Sequence, residues 1–456
     1  MQQLETISAI STAVGNAGIG IVRMSGENSV EIADKIFFAL NKKSLKDIED
    51  KKIVFGHIKN SAGEIIDEAI ILIMRAPKSY TKEDVVEIQC HGGQVALQNV
   101  LRRTFEAGAR PAERGEFTKR AFLNGRIDLS QAQAVMDVIQ AKTSVALNVA
   151  QNQLAGKTSK KFKDIRAELL EILAHIEALI DFPEDDIDDI FLNDVDKKIS
   201  AQIEKIQELL KNQDKGRILR EGLTTAIIGK PNVGKSSLLN FLTESDRAIV
   251  TDIPGTTRDS IEEFINLNGI PLKIIDTAGI RDSENLVEKI GIDKARELTK
   301  TAEMIFAIFD SSKELTAEDE KIFELIKNRP AIILLNKSDL PQITTAEQIK
   351  NFSDAEIIQI SVKTGAGFSE LEKVVTEKIG QIDFEMSFVH DEREADILRR
   401  CLNHLEEARK TLSKNFGIDF ISIDLRAALE LLSELTGDSV TEDVINEIFS
   451  KFCIGK

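Results

Sequence analysis

The sequence predicts a multidomain α/β protein: an α+β segment at the N-terminus, then an α-helical domain with a phosphate-loop α/β domain inserted into it. Three observations predict this. Residues 229–236 read Gly-Lys-Pro-Asn-Val-Gly-Lys-Ser between an apolar run and a helical pattern, which is the strand, loop and helix context of a phosphate-binding loop. Between 221 and 380, short apolar runs alternate with helical patterns, as parallel strands covered on both faces do. Helical patterns flank that stretch at 121–220 and 381–456. One helical domain carrying the α/β domain as an insertion accounts for both flanks and makes the ends of the inserted domain neighbours.

Segment 1–120 reads as mixed α+β. Residues 18–26 form a short strand between glycines, and Ser29 caps a helix expected to run to Leu40, with Val30, Ile32, Ala33, Ile36 and Phe37 at helical spacing. Strands are expected at 53–58, 68–74 and 85–90, and a helix at 95–107. Helical patterns follow at 116–123, 129–154, 162–179 and 190–210. The acidic break at 182–189, with Pro183, reads as a solvated connector, because it lacks the spacing of a calcium loop. Strands are expected at 225–228, 261–267, 272–275, 304–309, 332–335 and 357–360. Helices close the chain at 392–412, at 424–435 and after Thr441, whose helix has Glu442 and Asp443 in its first turn.

Composition bounds what these elements can do. The 456 residues suffice for two to four domains at ~100–200 residues each. Fifty-nine basic and 76 acidic residues give a net charge of −17, which excludes a general polyanion binder. Contact with nucleic acid would run through a local patch or a partner protein. Cys90, Cys401 and Cys453 are too few and too far apart for a disulfide framework or a metal knuckle. No window reaches the ~18 apolar residues of a spanning helix, and residues 1–10 lack the pattern of a secretory leader. A cytoplasmic protein with no membrane partner is expected.

The motifs carry the chemistry. Gly229 and Gly234 let the loop curl its N–H groups toward phosphate oxygens, and the following helix N-terminus favours negative charge. Lys235 is placed to reach the outer phosphates and the Ser236 hydroxyl to ligate magnesium. In Gly255-Thr256-Thr257-Arg258-Asp259, a Thr oxygen can meet magnesium when a γ-phosphate is present. Asp276-Thr277-Ala278-Gly279 offers a carboxylate for magnesium through water and an N–H for the γ-phosphate. Asn336-Lys337-Ser338-Asp339 ends a strand, and the Asp339 carboxylate matches the two donors of the guanine edge, which adenine lacks. Ser361-Val362-Lys363 ends the last strand and can support the base. Five such motifs in order resemble a GTPase domain of the translation-factor-like class. Ile280 follows the Asp-Thr-Ala-Gly motif where Ras-like switches carry a water-orienting Gln, so another group must orient the water. Arg281 cannot act as a base. Glu288 is a candidate, although position alone equally makes it a solvated acid. The Asn232 side chain can ligate a monovalent cation beside the phosphates, or Asn232 can serve turn geometry alone.

With these residues in place, the chain resembles the tRNA modification GTPase family MnmE, also called TrmE. The resemblance runs the whole length. It rests on the phosphate loop with Asn232, on Gly255 to Asp259, on the inserted position of the α/β domain and on the tail Cys453-Ile454-Gly455-Lys456. Arg114-Gly115-Glu116-Phe117-Thr118 and Arg120-Ala121-Phe122-Leu123-Asn124-Gly125 are similar to that family's N-terminal stretch. The resemblance implies a folate-binding and dimerisation domain at 1–120, a helical domain in two parts at 121–220 and 381–456, and a Ras-like GTPase domain at 221–380. It implies a homodimer that acts with the flavoprotein MnmG on C5 of the wobble uridine of certain tRNAs. The added group would be aminomethyl or carboxymethylaminomethyl, with 5-formyl-tetrahydrofolate as carbon donor. Potassium would activate hydrolysis by driving the two GTPase domains of the dimer together.

Carried residue by residue, the resemblance implies that GTP is lined by Asn232, Val233, Gly234, Lys235, Ser236 and Ser237, and by Thr251, Asp252, Ile253, Pro254, Gly255, Thr256 and Thr257. Asp276, Thr277, Ala278, Gly279, Asn336, Lys337, Asp339, Ser361, Val362 and Lys363 complete that lining. Ser236 and Thr257 would hold Mg2+, and Asn232, Thr251, Ile253 and Thr256 would hold K+. Glu288 would orient the attacking water. Arg23, Glu87, Arg126 and Lys456 would contact the folate, with Arg126 standing where the family can carry Lys, a change that keeps charge and alters donor geometry. Cys453 would be a functional thiol near the folate or an unreactive cysteine at a helix end. By the residues alone, Arg23 and Glu87 are equally ordinary strand residues facing solvent, and His91 lacks a second ligand for a metal. Two rival functions remain at this level: a regulatory GTPase switch in ribosome assembly, disfavoured by the negative charge and the lack of a basic RNA-binding module, and a folate-transfer enzyme with an appended switch.

Overall fold

The computed structural model describes residues 5–13, 15–181, 189–244, 248–249, 263–275, 288–380, 389, 391–414 and 418–456. The chain divides into two compact units: Met1–Met136 with Ser159–Gln202 and Arg400–Lys456, and Asp137–Thr158 with Ile203–Arg399. Among the described residues no helix is long and apolar enough to cross a membrane.

The first unit is built on a seven-stranded sheet in the order β3-β4-β5-β6-β2-β1-β7. Its strands are β1 (Ile7–Ile10), β2 (Ala17–Ser25), β3 (Phe37–Ala39), β4 (Ile53–Lys59), β5 (Ile65–Met74), β6 (Val85–Gly92) and β7 (Arg110–Pro111). All neighbours pair antiparallel except β1 and β7. Strand alternation sends one set of side chains to each face. On one face Val22, Met24, Ile71 and Ile88 pack with Ile32 and Ile36 of the helix Ser29–Ile36 and with Leu97 and Val100 of the helix Gln94–Glu106. The opposite face carries Ile19 at 63%, Ile53 at 70% and Phe55 at 46% exposed, with Ile70 paired to Phe55 and Phe38 beside His57. The Arg23–Glu87 pair of β2 and β6 lies on this same face, because Glu87 alternates in step with Gln89, the register partner of Ile70.

The helix Glu442–Ser450 packs Ile445, Ile448 and Phe449 against Ala121, Leu129 and Met136. The chain after it crosses the turn at Arg114 and the end of β1. Gly115 N donates to Cys453 O at 3.3 Å, Arg114 bridges Ile454, and Ser11 Oγ donates to Gly455 O at 3.0 Å. Gly455 has φ +91°, and a Cβ there would run into Ile10 O, so the crossing requires glycine.

The second unit holds a seven-stranded sheet in the order β14-β13-β12-β8-β11-β10-β9. Its strands are β8 (Leu223–Ile228), β9 (Ala248–Ile249), β10 (Glu263–Leu267), β11 (Ile270–Ile274), β12 (Met304–Asp310), β13 (Ala331–Asn336) and β14 (Glu356–Gln359). The run from β14 to β11 is parallel, and β10 and β9 are added antiparallel. Ile227, Phe306, Ile308 and Leu334 face Leu238 and Leu242 of the helix Lys235–Glu244 and Leu371 and Val375 of the helix Phe368–Ile379. Ile228, Ile305, Phe309 and Leu335 face Ile322 and Phe323 of the helix Ala317–Ile326 on the other side. Both faces are buried, which is why these strands read as unbroken apolar runs.

Several expected elements change. The helix from Ser29 ends at Ile36 rather than Leu40, because Phe37 enters β3 and pairs with Ile58 of β4. Its N-cap position is Asn28. The helical stretch expected at 129–154 is two helices, Leu129–Gln140 and Ser144–Leu154. The Thr143 hydroxyl accepts from Ala146 N at 3.1 Å and thereby starts the second. The last long helix begins at Ile418, before the expected 424. The acidic connector lies outside the described residues, apart from Asp189 at the head of the helix Asp189–Lys211.

Candidate functional site

The phosphate loop leaves the carboxyl end of β8, between β12 and β11, where ligands of open parallel sheets bind. Gly229 is required by close approach, since a Cβ there would lie 2.6 Å from Ile308 O. Gly234 has φ +108°, and a Cβ there would collide with Asn336 Nδ2. Asn232 has φ +63°, a left-handed conformation that Asn tolerates better than most residues. The turn-geometry role of Asn232 is therefore real, whatever its side chain also does. Lys235 opens the helix Lys235–Glu244, and its Nζ donates to Gly229 O and Lys230 O, both at 2.7 Å. Burial pushes this ammonium's pKa down to about 8. Lys230 pairs with Asp319 and donates to Thr316 Oγ1 at 3.0 Å, tying the outside of the loop to a helix N-terminus.

Asn336 holds the site together. It ends β13 and is 3% exposed. Its Nδ2 donates to Val233 O in the phosphate loop at 2.8 Å, and its Oδ1 accepts from Val362 N at 3.1 Å. One side chain thus joins the phosphate loop, the end of β13 and the loop after β14. Lys337 follows with φ +65°, and its Nζ donates to Asp310 Oδ2 at 2.6 Å and to Asn232 O at 3.2 Å. Asp310, at the end of β12, went unnoticed in the sequence. Its signal was an acid closing an apolar strand, just as Asp339 follows one. Burial raises the Asp310 pKa, but hydrogen bonds from Lys337 and Ser312 outweigh it and hold the carboxyl below its usual range. Ser361 Oγ donates to Asp339 Oδ1 at 2.7 Å, which lowers the exposed Asp339 carboxyl and keeps it an acceptor. The predicted residues Asn232, Val233, Gly234, Lys235, Asn336, Lys337, Asp339, Ser361 and Val362 are therefore brought together. Ser236 and Ser237 follow Lys235 in the helix, and Lys363 follows Val362.

Thr251 to Thr257 and Asp276 to Gly279 lie outside the described residues. Glu288 heads the helix Glu288–Thr301, and its side chain lies outside them too.

A second cluster stands in the first unit. Arg23 Nε and Nη2 both donate to Glu87 Oε1, at 2.9 and 2.7 Å, so neither is an idle strand residue facing solvent. The Arg23 guanidinium stands 5.6 Å from the Tyr80 ring centre and 5.7 Å from that of Phe117. Arg126 stands 4.7 Å from the same Tyr80 ring. Burial, then the charge of Arg23, lowers the Lys456 pKa, and Glu87 opposes that shift. The four residues expected together converge, and Tyr80, the sole tyrosine of the chain, joins them unforeseen. Cys453 is exposed, whereas burial pushes the Cys90 and Cys401 thiols up to about 12. His91 hydrogen-bonds Asp67 through Nδ1 at 2.6 Å, which raises its pKa.

Beneath this cluster, Arg120 is 2% exposed and donates to Glu83 Oε2 and Glu116 Oε1, both at 2.9 Å. Burial raises the Glu116 pKa, yet Arg110, Glu113 N and Arg120 bring it below the usual carboxylate range. The Arg-Gly-Glu-Phe-Thr stretch thus joins a buried charge network through Glu116 and meets the cluster through Phe117, beside Arg23, and Thr118, bonded to Tyr80.

Comparison with known proteins adds two results. Residues 6–126 match the family model described as the GTP-binding protein TrmE N-terminus, and residues 129–453 that described as the MnmE helical domain. Among curated proteins, the tRNA modification GTPase MnmE of Alkaliphilus oremlandii is 48% identical over 458 residues, covering 99% of each chain. That of Desulforamulus reducens is 48% identical over 460 residues, again 99% of each. That of Geobacillus thermodenitrificans is 46% identical over 462 residues, 100% of each.

Proposed function

The chain belongs to the tRNA modification GTPase MnmE family, and from that premise we propose that it hydrolyses GTP in the service of tRNA modification. The observation that carries the nucleotide part is the Asn336 bridge, which makes the phosphate loop and the base-reading loop one body. A guanine nucleotide fits this arrangement: the Asp339 carboxylate accepts from the guanine edge, Ser361 and Lys363 back the base, and Lys235 meets the outer phosphates.

The donor set suits two cations. Ser236 and Thr257 offer alcohol oxygens, hard ligands suited to Mg2+. Asn232, Thr251, Ile253 and Thr256 offer amide, hydroxyl and carbonyl oxygens for K+, and the left-handed Asn232 lies in the phosphate loop with its carbonyl accepting from Lys337 Nζ. A cation held there would supply positive charge to the phosphates during hydrolysis. Val233, Gly234, Ser237, Asp252, Pro254, Gly255, Asp276, Thr277, Ala278, Gly279, Lys337 and Val362 complete the lining. Glu288 orients the water, a role that Ile280 cannot fill.

The Arg23, Glu87, Arg126 and Lys456 cluster is our folate site. Three cations against one carboxylate, in a chain of net charge −17, favour a small anionic ligand such as 5-formyl-tetrahydrofolate. The α+β domain at 1–120 thus binds folate and forms the homodimer through its open sheet face. The helical domain at 121–220 and 381–456 carries the GTPase domain at 221–380. With the flavoprotein MnmG as partner, the dimer adds an aminomethyl-type group to C5 of the wobble uridine of tRNA in the cytoplasm.

The test is GTP turnover in potassium against sodium at equal ionic strength. Potassium should accelerate the wild type, and Asn232→Ala should lose that acceleration. Glu288→Ala should bind nucleotide and hydrolyse it ~10²-fold more slowly or worse. Equal rates in the two salts would remove the cation role, and an undiminished Glu288→Ala rate would remove that of the acid. No turnover in either salt would overturn the hydrolase reading.

A further inference from the structure

Tyr80 lies where two cations would otherwise be left to repel each other. Arg23 is held by Glu87 through two hydrogen bonds to one oxygen. No carboxylate among the described residues pairs with Arg126 in this way. Among the described residues, the Tyr80 ring is the one partner of its guanidinium, at 4.7 Å. The same ring meets Arg23 at 5.6 Å. An aromatic face attracts a guanidinium through its quadrupole, so one ring between two such groups offsets their repulsion. The ring itself is fixed. Tyr80 Oη and Thr118 Oγ1 share a 2.9 Å hydrogen bond, and Thr118 is fully buried in the helix Glu116–Leu123. The ring also packs against the apolar groups of Ile7, Ala9 and Phe117. Arg126 is carried to it by Gly125 at φ +66°, whose carbonyl accepts from Lys82 Nζ at 2.9 Å.

We propose that Tyr80 is a positioning residue of the anion site, its ring setting the Arg23 and Arg126 guanidinium groups as a pair for the carboxylates of a folate. This rests on the folate reading of the cluster. The residue acts through the arginines: truncating the ring leaves Arg126 on an exposed side chain with no described partner, free to sample rotamers that miss the ligand. The hydroxyl serves to hold the ring.

The experiment is calorimetric binding of 5-formyl-tetrahydrofolate to the full chain and to Tyr80→Phe, Tyr80→Leu, Arg126→Ala and the Tyr80→Leu/Arg126→Ala double variant. Thermal midpoints are read in parallel, and Tyr80→Met, of similar bulk, replaces Leu if that variant does not fold. Tyr80→Leu should weaken binding roughly tenfold, in the range of two cation–π contacts. Tyr80→Phe, which keeps the ring, should restore most of the affinity. In the Arg126→Ala background, Tyr80→Leu should cost much less than it does alone, because the partner it positions is gone. Undiminished binding by Tyr80→Leu would overturn the proposal. So would an equal loss in both backgrounds, which would make the ring a direct contact, or a Phe variant as weak as Leu. A wild type that does not bind the folate would overturn the reading of the site, and this proposal with it.

Discussion

Lys235 shows what one residue's surroundings add to its motif. The motif places a lysine after Gly234. The structure buries its ammonium against two loop carbonyls and brings its pKa down to about 8. In the unfolded chain the same group titrates near ~10.4. Between those values the unfolded chain binds the extra proton, so this group's contribution to stability rises as pH climbs from about 8. A phosphate beside Nζ favours the charged form and reverses the shift. Nucleotide binding at pH ~8.5–9 should then take up a proton, and affinity should fall with rising pH, by at most ~10-fold per unit. Calorimetry in two buffers of different ionisation heat measures this. Buffer-independent heats at pH ~9 would exclude it, and near neutral pH no uptake by Lys235 is expected. The pairings of Asp310 and of Tyr80 were illegible for a different reason. Each acts through a partner far along the chain, Lys337 in one case and Arg126 in the other, and spacing carries no trace of such pairs.

At the scale of elements, the hairpin β10–β11 is the most informative. Its strands lie between the segments that carry Gly255 to Asp259 and Asp276 to Gly279. Its turn, at Asn268 and Gly269, is fastened to the helix Ser144–Leu154. Thr143 Oγ1 donates to Gly269 O at 2.8 Å, Val145 packs on Gly269, and Lys142 Nζ stands 5.1 Å from the Phe264 ring centre. Thr143 therefore caps a helix and holds a hairpin with one hydroxyl. Thr143→Val should destabilise the protein by about 1–2 kcal/mol, the sum of a lost cap and a lost hydrogen bond. Thr143→Ser should restore most of it. Urea unfolding of the three proteins decides, and an unchanged midpoint for Val would mean that the helix start and the hairpin hold without the hydroxyl. In the sequence this region read as one continuous helix, because Ala, Gln and Leu propensities do not register a break that a tertiary contact pays for.

At the scale of the whole molecule, the homodimer proposed above needs a surface, and the open face of the first sheet offers one. Phe38, Ile53, Phe55 and Ile70 share it, a clustering of apolar side chains that solvent alone does not favour. Phe55→Lys places a charge within that apolar cluster and should give a monomer in sedimentation velocity, with the GTPase site's nucleotide affinity retained. An unchanged dimer would move the interface elsewhere. Arg23 and Glu87 lie on the same face, so folate binding and dimer formation are expected to be coupled, and the monomeric variant should also bind the folate more weakly.

The sequence by itself determined the elements whose signal is local. The buried parallel strands are legible as apolar runs, and the phosphate loop as a glycine pattern that only one backbone path satisfies. Asp339 is legible because the motif Asn336-Lys337-Ser338-Asp339 closes an apolar strand run. Tertiary structure alone decided which groups meet. Phe37 leaves its helix because β4 offers hydrogen bonds that a helix end lacks. Asn336 reads in sequence as part of a base motif and in space as the bridge between two loops, because its amide has a donor and an acceptor to satisfy once buried. Arg120 and Glu116 stand in the sequence only as parts of a helical pattern; in space they are buried, and their burial is tolerable because they pair with each other and with Glu83 and Arg110. Periodicity reports which face of an element is apolar. It does not report which distant residue completes a buried polar group, since that depends on the path of the whole chain.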